Sequence, residues 1–188
     1  APPSEPGQRR WLPAALALAS HGAVIYGVPQ ALDGLALVSR PITVASLGEW
    51  PPPTLASLEA TARRAVRRDG RPTFGLGVRV DGYWFLPFLR AAGGDAAGGD
   101  GAAAMLGSAA AARALEGFAA LFADGVAPPP PPAGDEARDE ARRFRAGELA
   151  VVMTGPWALV DLAGGELGEV PDLAVAPLPH APRGGQVY

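Results

Sequence analysis

The sequence contains no cysteine, which removes thiol nucleophiles, thiolate metal sites and disulfides together. All sixteen basic residues are arginine. Without lysine there is no Schiff-base chemistry and no phosphate-loop lysine within this chain. Only His21 and His180 offer imidazoles, and they lie far apart. Most catalytic constellations therefore lack their parts, and neither a cofactor nor a metal site is expected. The net charge of −3 gives no overall attraction to nucleic acid or anionic lipid. The longest apolar run, Leu12 to Ala19, falls far short of the roughly 20 residues that span a bilayer.

What is present suits a globular α/β protein. Apolar residues make up 48% and charged residues 19% of the 188, enough for one sizeable core or two small domains. Residues 1–10 are expected to form a disordered lead. Arg9-Arg10 and the following apolar run have the outline of an export signal. The run continues straight into patterned sequence, however, and an amphipathic helix from Leu12 to about Ser20 is the preferred reading.

Beyond His21-Gly22, strands are expected at Ala23–Val28 and Leu35–Ser39, the second ending at Arg40-Pro41. Thr54 caps a helix whose Leu55, Leu58, Ala62, Ala65 and Val66 recur at helical spacing, with Asp69-Gly70 as its stop. Arg63, Arg64, Arg67 and Arg68 crowd its last turns. A phosphate or nucleic-acid site competes there with a solvated face that offsets the helix dipole, and the dipole reading is favoured. A strand interrupted by Gly75 and Gly77 spans Thr73–Val80. A helix over Tyr83–Ala92 closes at Gly93-Gly94. The Gly/Ala-rich stretch from Asp95 to Gly107 reads as a loop or weak hairpin.

Ser108 caps the next helix, with Leu115, Phe118, Leu121 and Phe122 as its core stripe and Asp124-Gly125 at its end. Pro128–Pro132 is an extended connector, read as a surface spacer rather than a docking ligand. Asp135 opens a helix with Ala137, Ala141 and Phe144 on one face. An apolar strand at Leu149–Thr154 then meets Gly155-Pro156-Trp157, with proline at a favoured first helical position. Leu173–Ala176 is a last short strand. Alternating helices and strands indicate layered α/β architecture.

Three segments put recognition chemistry near element ends: Tyr26-Gly27-Val28-Pro29 through Asp33, Asp81-Gly82-Tyr83-Trp84, and Thr154-Gly155-Pro156-Trp157. In open α/β sheets, ligands gather beyond the carboxyl ends of strands. Sugars present an apolar C–H face that stacks on aromatic rings, and a rim of hydroxyls that carboxylates accept. Trp157 and Tyr83 are candidate stacking surfaces, with Asp33 and Asp81 as candidate acceptors. The residues alone leave a second reading open, in which the aromatics are core and Asp81 is a helix cap.

The ordered set resembles the family-1 extracellular solute-binding proteins, the maltose-binding group of ABC importers. The resemblance rests on Tyr26-Gly27-Val28-Pro29 with Asp33, the Pro52-Pro53-Thr54 helix start, and Tyr83-Trp84-Phe85-Leu86-Pro87 followed by Gly93-Gly94. The spaced set Phe144, Gly147, Ala150 and Thr154-Gly155-Pro156-Trp157 completes it, over roughly residues 11 to 188. The sequence departs from the family at Ser39-Arg40, where Asn-Lys is usual, and at Leu55, where Trp is usual.

The resemblance implies a periplasmic-binding-protein-like lobe with helices layered around a mixed sheet. Residues 11–34 would be the tail of a first lobe and the crossover, and residues 35–188 an incomplete second lobe. It implies Trp157 as a sugar-stacking residue, Tyr83 as a ligand contact, Asp33 and Asp81 as acidic cleft positions, and Trp84 as a further contact. The expected function is non-catalytic binding of a mono- or oligosaccharide for ABC permease subunits. The expected protein is an exported monomer, periplasmic or extracellular, free or lipid-anchored. Family members run to about twice this length, so weak binding is expected of the chain alone. A sensory or protein-interaction module uncoupled from transport is the alternative. A glycosidase pairing Asp33 with Asp81 or Asp161 would need carboxyl groups about 5–5.5 Å or 6.5–9.5 Å apart, and is not favoured.

Overall fold

A computed structural model describes residues 11–67, 73–96, 106–164 and 172–179. The expected lead at 1–10, Arg68, the stop at Asp69-Gly70, most of the Gly/Ala-rich stretch and His180 lie outside the described residues. The chain divides into two compact units between Gly34 and Leu35.

In the N-terminal unit, helix α1 (Pro13–Leu18) starts on a proline whose missing N–H is one of the unpaired donors of a first turn. Strands β1 (Ser20–His21) and β2 (Val24–Ile25) form a short antiparallel hairpin, pairing Ser20 with Ile25 and His21 with Val24. The strand expected over Ala23–Val28 is thus cut to two residues. The Tyr26 N–H still donates to the Ala19 carbonyl at 2.8 Å, but the residues before Ala19 are helical and offer no further ladder partner.

The second unit is built on a sheet whose described strands are β3 (Ala36–Ser39), β4 (Phe74–Gly77), β5 (Leu149–Thr154) and β6 (Ala174–Pro177), in the order β4-β5-β3-β6. β3 runs antiparallel to both β5 and β6, and β4 runs parallel to β5. The sheet is mixed, as expected. Helices α2 (Pro41–Leu47), α3 (Leu55–Ala65), α4 (Gly82–Ala91), α5 (Ala109–Ala123), α6 (Glu136–Arg145) and α7 (Leu159–Ala163) accompany it, α7 being entered through a 3₁₀ turn at Pro156–Ala158.

Apolar residues fill two buried clusters. One joins Leu37, Leu76, Val151 and Met153 to Leu58 and Ala62 of α3, Phe88 and Leu89 of α4, and Phe118 and Leu121 of α5. The other joins Val38, Leu149 and Val152 to Ala141 and Phe144 of α6 and Leu162 of α7. Neighbouring residues Leu37 and Val38 therefore serve different clusters, as alternating strand side chains do. Cover on both faces explains why β5 reads Leu-Ala-Val-Val-Met-Thr without polar alternation.

Local chemistry sets the helix starts. The Thr54 hydroxyl accepts from the Ser57 N–H while the Ser57 hydroxyl accepts from the Thr54 N–H, a reciprocal cap on α3. Ser108 accepts from Ala111 N–H at the start of α5. Further expectations change. Leu115 and Ala137, expected in the core stripes of α5 and α6, are exposed. α2 was not foreseen, because Ile42, Thr43 and Val44 are β-branched and weak helix formers. Gly75 does not interrupt its strand but lies inside β4, whereas the strand expected to reach Val80 ends at Gly77. A Cβ at Gly75 would collide with the Ala62 backbone, so this glycine is what lets α3 lie directly on β4.

Candidate ligand-binding surface

Parallel strands β4 and β5 end on the same side of the sheet, and the chain leaves each through a helix start. After β4, Asp81 caps α4: its carboxylate accepts the Tyr83 N–H at 2.7 Å. The cap fixes where α4 begins, and hence where Tyr83 and Trp84 stand. After β5, Gly155-Pro156-Trp157 turns at once into the 3₁₀ segment. The Trp157 indole folds back over Gly155 so closely that a Cβ there would fall among its ring atoms.

These two turns bring three of the expected residues together. Tyr83 and Trp157 remain 40% and 43% exposed, with ring centroids 6.3 Å apart and planes inclined by 48°. Trp84 takes a different place. It is 9% exposed, and its indole N–H donates to the Met153 carbonyl at 2.8 Å. It meets Tyr83 edge-on at 5.6 Å and Trp157 edge-on at 6.2 Å. The buried indole therefore props the two exposed rings, and its polar atom is already used. Asp81 is exposed beside Tyr83 and keeps lone pairs beyond the one that caps the helix. Asp33 is exposed in the N-terminal unit.

Beneath this surface lies a charged arrangement that sequence reasoning missed. The Arg79 guanidinium carbon sits 4.7 Å from the centre of the Trp84 ring. Its Nη2 and Nε donate to the two carboxylate oxygens of Glu140 at 3.1 and 3.4 Å. The Thr154 hydroxyl donates to the same carboxylate at 3.3 Å. Glu140 is 7% exposed. Burial pushes its carboxyl above the ordinary glutamate range, against the opposing pull of Arg79 and Thr154. One sequence signal was available: Glu140 lies on the same face of α6 as Ala141 and Phe144, and all three are buried. A charge in a core stripe calls for a partner, but Arg79 is 61 residues away and nothing local points to it.

Chemically, the surface offers two apolar ring faces, a carboxylate and a backbone turned at strand ends. Among the described residues, no group of three or more His, Cys, Asp or Glu could hold a metal ion, and no helix is long and apolar enough to cross a membrane. His21 is exposed in the β1–β2 hairpin. The arrangement is an α/β layer with aromatic side chains raised beyond its strand ends.

Residues 2–188 match the family of bacterial extracellular solute-binding proteins, and the chain belongs to that family. The family is generally non-catalytic and works with ABC permeases. No curated protein matches the chain significantly. Among solved structures, it resembles the GacH receptor of Streptomyces glaucescens, determined unliganded and with acarbose. The two share 30% identity with a TM-score of 0.72, over 93% of this chain and 44% of the receptor. The maltotriose-binding protein of Thermus thermophilus is 22% identical with a TM-score of 0.64, over 98% of this chain and 47% of that one. UgpB of Mycobacterium tuberculosis, solved with glycerophosphocholine, is 18% identical with a TM-score of 0.70, over 94% and 45%. The last two likenesses speak for the fold alone. The chain spans less than half the length of each.

Proposed function

We propose that this chain contributes the carbohydrate-contacting lobe of an exported receptor serving a bacterial ABC sugar importer. Residues 35–188 form that second lobe, and residues 11–34 the tail of the first lobe with the crossover. Trp157 and Tyr83 stack on the apolar face of a mono- or oligosaccharide, while Asp81 accepts hydrogen bonds from its hydroxyls. Trp84 contributes from below by fixing the two exposed rings. The receptor acts as a monomer, without catalysis, and delivers its ligand to the permease.

One observation carries this reading: two half-exposed aromatic rings, propped by a buried indole, stand beside a carboxylate at the ends of parallel strands. Contiguous exposed apolar side chains mark recognition surfaces more often than single exposed ones do. The acarbose bound by the GacH receptor supports a saccharide as the ligand class.

The test is a titration of the purified chain with maltose, trehalose, glucose and longer oligosaccharides, followed by tryptophan fluorescence beside W157A. A saturable change that disappears in W157A is expected. A folded chain whose fluorescence no sugar alters, or a change that W157A retains in full, would overturn the assignment of Trp157 to a sugar site.

A further inference from the structure

Arg63, Arg64 and Arg67 at the end of α3 are exposed but do not share one environment. Arg63 turns to Asp124, with a 2.7 Å contact between guanidinium and carboxylate. Arg64 and Arg67 instead line a cavity of about 360 Å³ together with Arg40 from the end of β3. Thr43 and Ser46 of α2 and Thr73 before β4 supply hydroxyls to the same wall. Among the described residues, no aspartate or glutamate lines the cavity. None of the three guanidiniums forms an ion pair with an acid among the described residues.

Two of these guanidiniums are held in place by neutral groups. Arg40 Nη2 donates to the carbonyls of Phe144 and Arg145 at 2.7 and 2.8 Å, and its guanidinium carbon lies 5.2 Å from the centre of the Phe144 ring. Arg64 Nη2 donates to the Thr61 hydroxyl at 3.0 Å. Carbonyls and hydroxyls orient a guanidinium but do not cancel its charge. Each has N–H groups left over, since a guanidinium carries five. The α3 carboxyl end offsets only about half of one charge. Three guanidiniums in one concavity, two of them held by neutral groups, with hydroxyls and no acid among the described residues, make a site for an anion of more than one negative charge.

We propose that this cavity binds a small, phosphate-bearing solute. The inference is independent of the sugar surface. Thr73 and Leu149 stand at the beginnings of β4 and β5, whereas Tyr83 and Trp157 follow their ends. The six residues of β5 separate the two places by about 20 Å, so one small ligand cannot occupy both. A concave site of this size suits a free solute better than a flat lipid surface.

Calorimetric titration of the full chain with inorganic pyrophosphate, in about 150 mM sodium chloride to suppress loose ion pairing, tests the proposal. Saturable uptake is expected, about tenfold weaker or more in R64Q/R67Q and unchanged in R63Q. Arg64 and Arg67 are exposed, so the double variant should stay folded. R67Q, which removes a side chain without a side-chain hydrogen bond among the described residues, provides the same comparison if it does not. Absence of saturable uptake overturns the proposal. Equal weakening by R63Q does so too, because it would mark general charge attraction. Arginine-dependent sedimentation with phosphatidylglycerol vesicles, without pyrophosphate uptake, also overturns it in favour of a lipid headgroup.

Discussion

Glu140 is the residue whose surroundings are most unusual, since a carboxylate at 7% exposure supports an aromatic surface through a guanidinium. Burial raises its carboxyl above the ordinary range, so the folded chain holds this proton more tightly than the unfolded chain. Stability then falls as pH rises from the unfolded value, about 4.3, through the raised folded value. E140Q removes that slope. Urea unfolding at pH 4 and pH 7 should therefore show the wild type's advantage over E140Q to be larger at pH 4. The opposite trend would mean that pairing with Arg79 outweighs burial. Trp157 and Gly155 form a second residue-scale pair. G155A places a methyl group where the indole lies, so the ring must leave its position. A changed tryptophan emission spectrum and loss of any sugar response are expected. W157A should lose the response with little change in stability, because the ring is already 43% exposed.

At the scale of elements, the contact between α3 and β4 depends on Gly75. G75A meets backbone rather than a movable side chain, and overpacking of this kind typically destabilises by about 1–3 kcal/mol. T54A removes the cap of the same helix and should cost about 1 kcal/mol. Chemical denaturation of both variants checks the order, with G75A the more damaging. The two residues also show where the sequence was readable. Thr54 and Ser108 announced their helices through local bonds three residues away, and Asp81 through one two residues away. Gly75 looked like a break, because its purpose is a helix that packs on it from another part of the chain. α2 was unreadable for a related reason: its β-branched Ile42, Thr43 and Val44 have weak helical preference, and an N-terminal proline with tertiary packing decides the outcome. The candidate site divides in the same way. Tyr83, Trp157 and Asp81 stand in recognisable strand-to-helix turns, whereas Arg79 and Glu140 meet only through folding.

Across the whole molecule, the α/β class followed from alternating elements, but the strand order β4-β5-β3-β6 did not. β3 pairs with β5 over a separation of more than a hundred residues, and no local pattern specifies that it lies between β5 and β6. The division at Gly34 carries a further consequence for stability. The residues of both buried clusters fall between Leu35 and Leu178. In the N-terminal unit, Ala15 is the buried apolar residue among those described. Cooperative unfolding scales with buried apolar area, so residues 35–188 hold nearly everything that drives it. Removal of residues 1–34 should leave the far- and near-ultraviolet circular dichroism of the sheet and its aromatic surface intact. The melting temperature should move by no more than about 4 °C, the shift that about 1 kcal/mol produces in a domain of this size. A larger fall, or a melt that loses cooperativity, would show that the N-terminal unit is part of the folding core despite its exposed side chains.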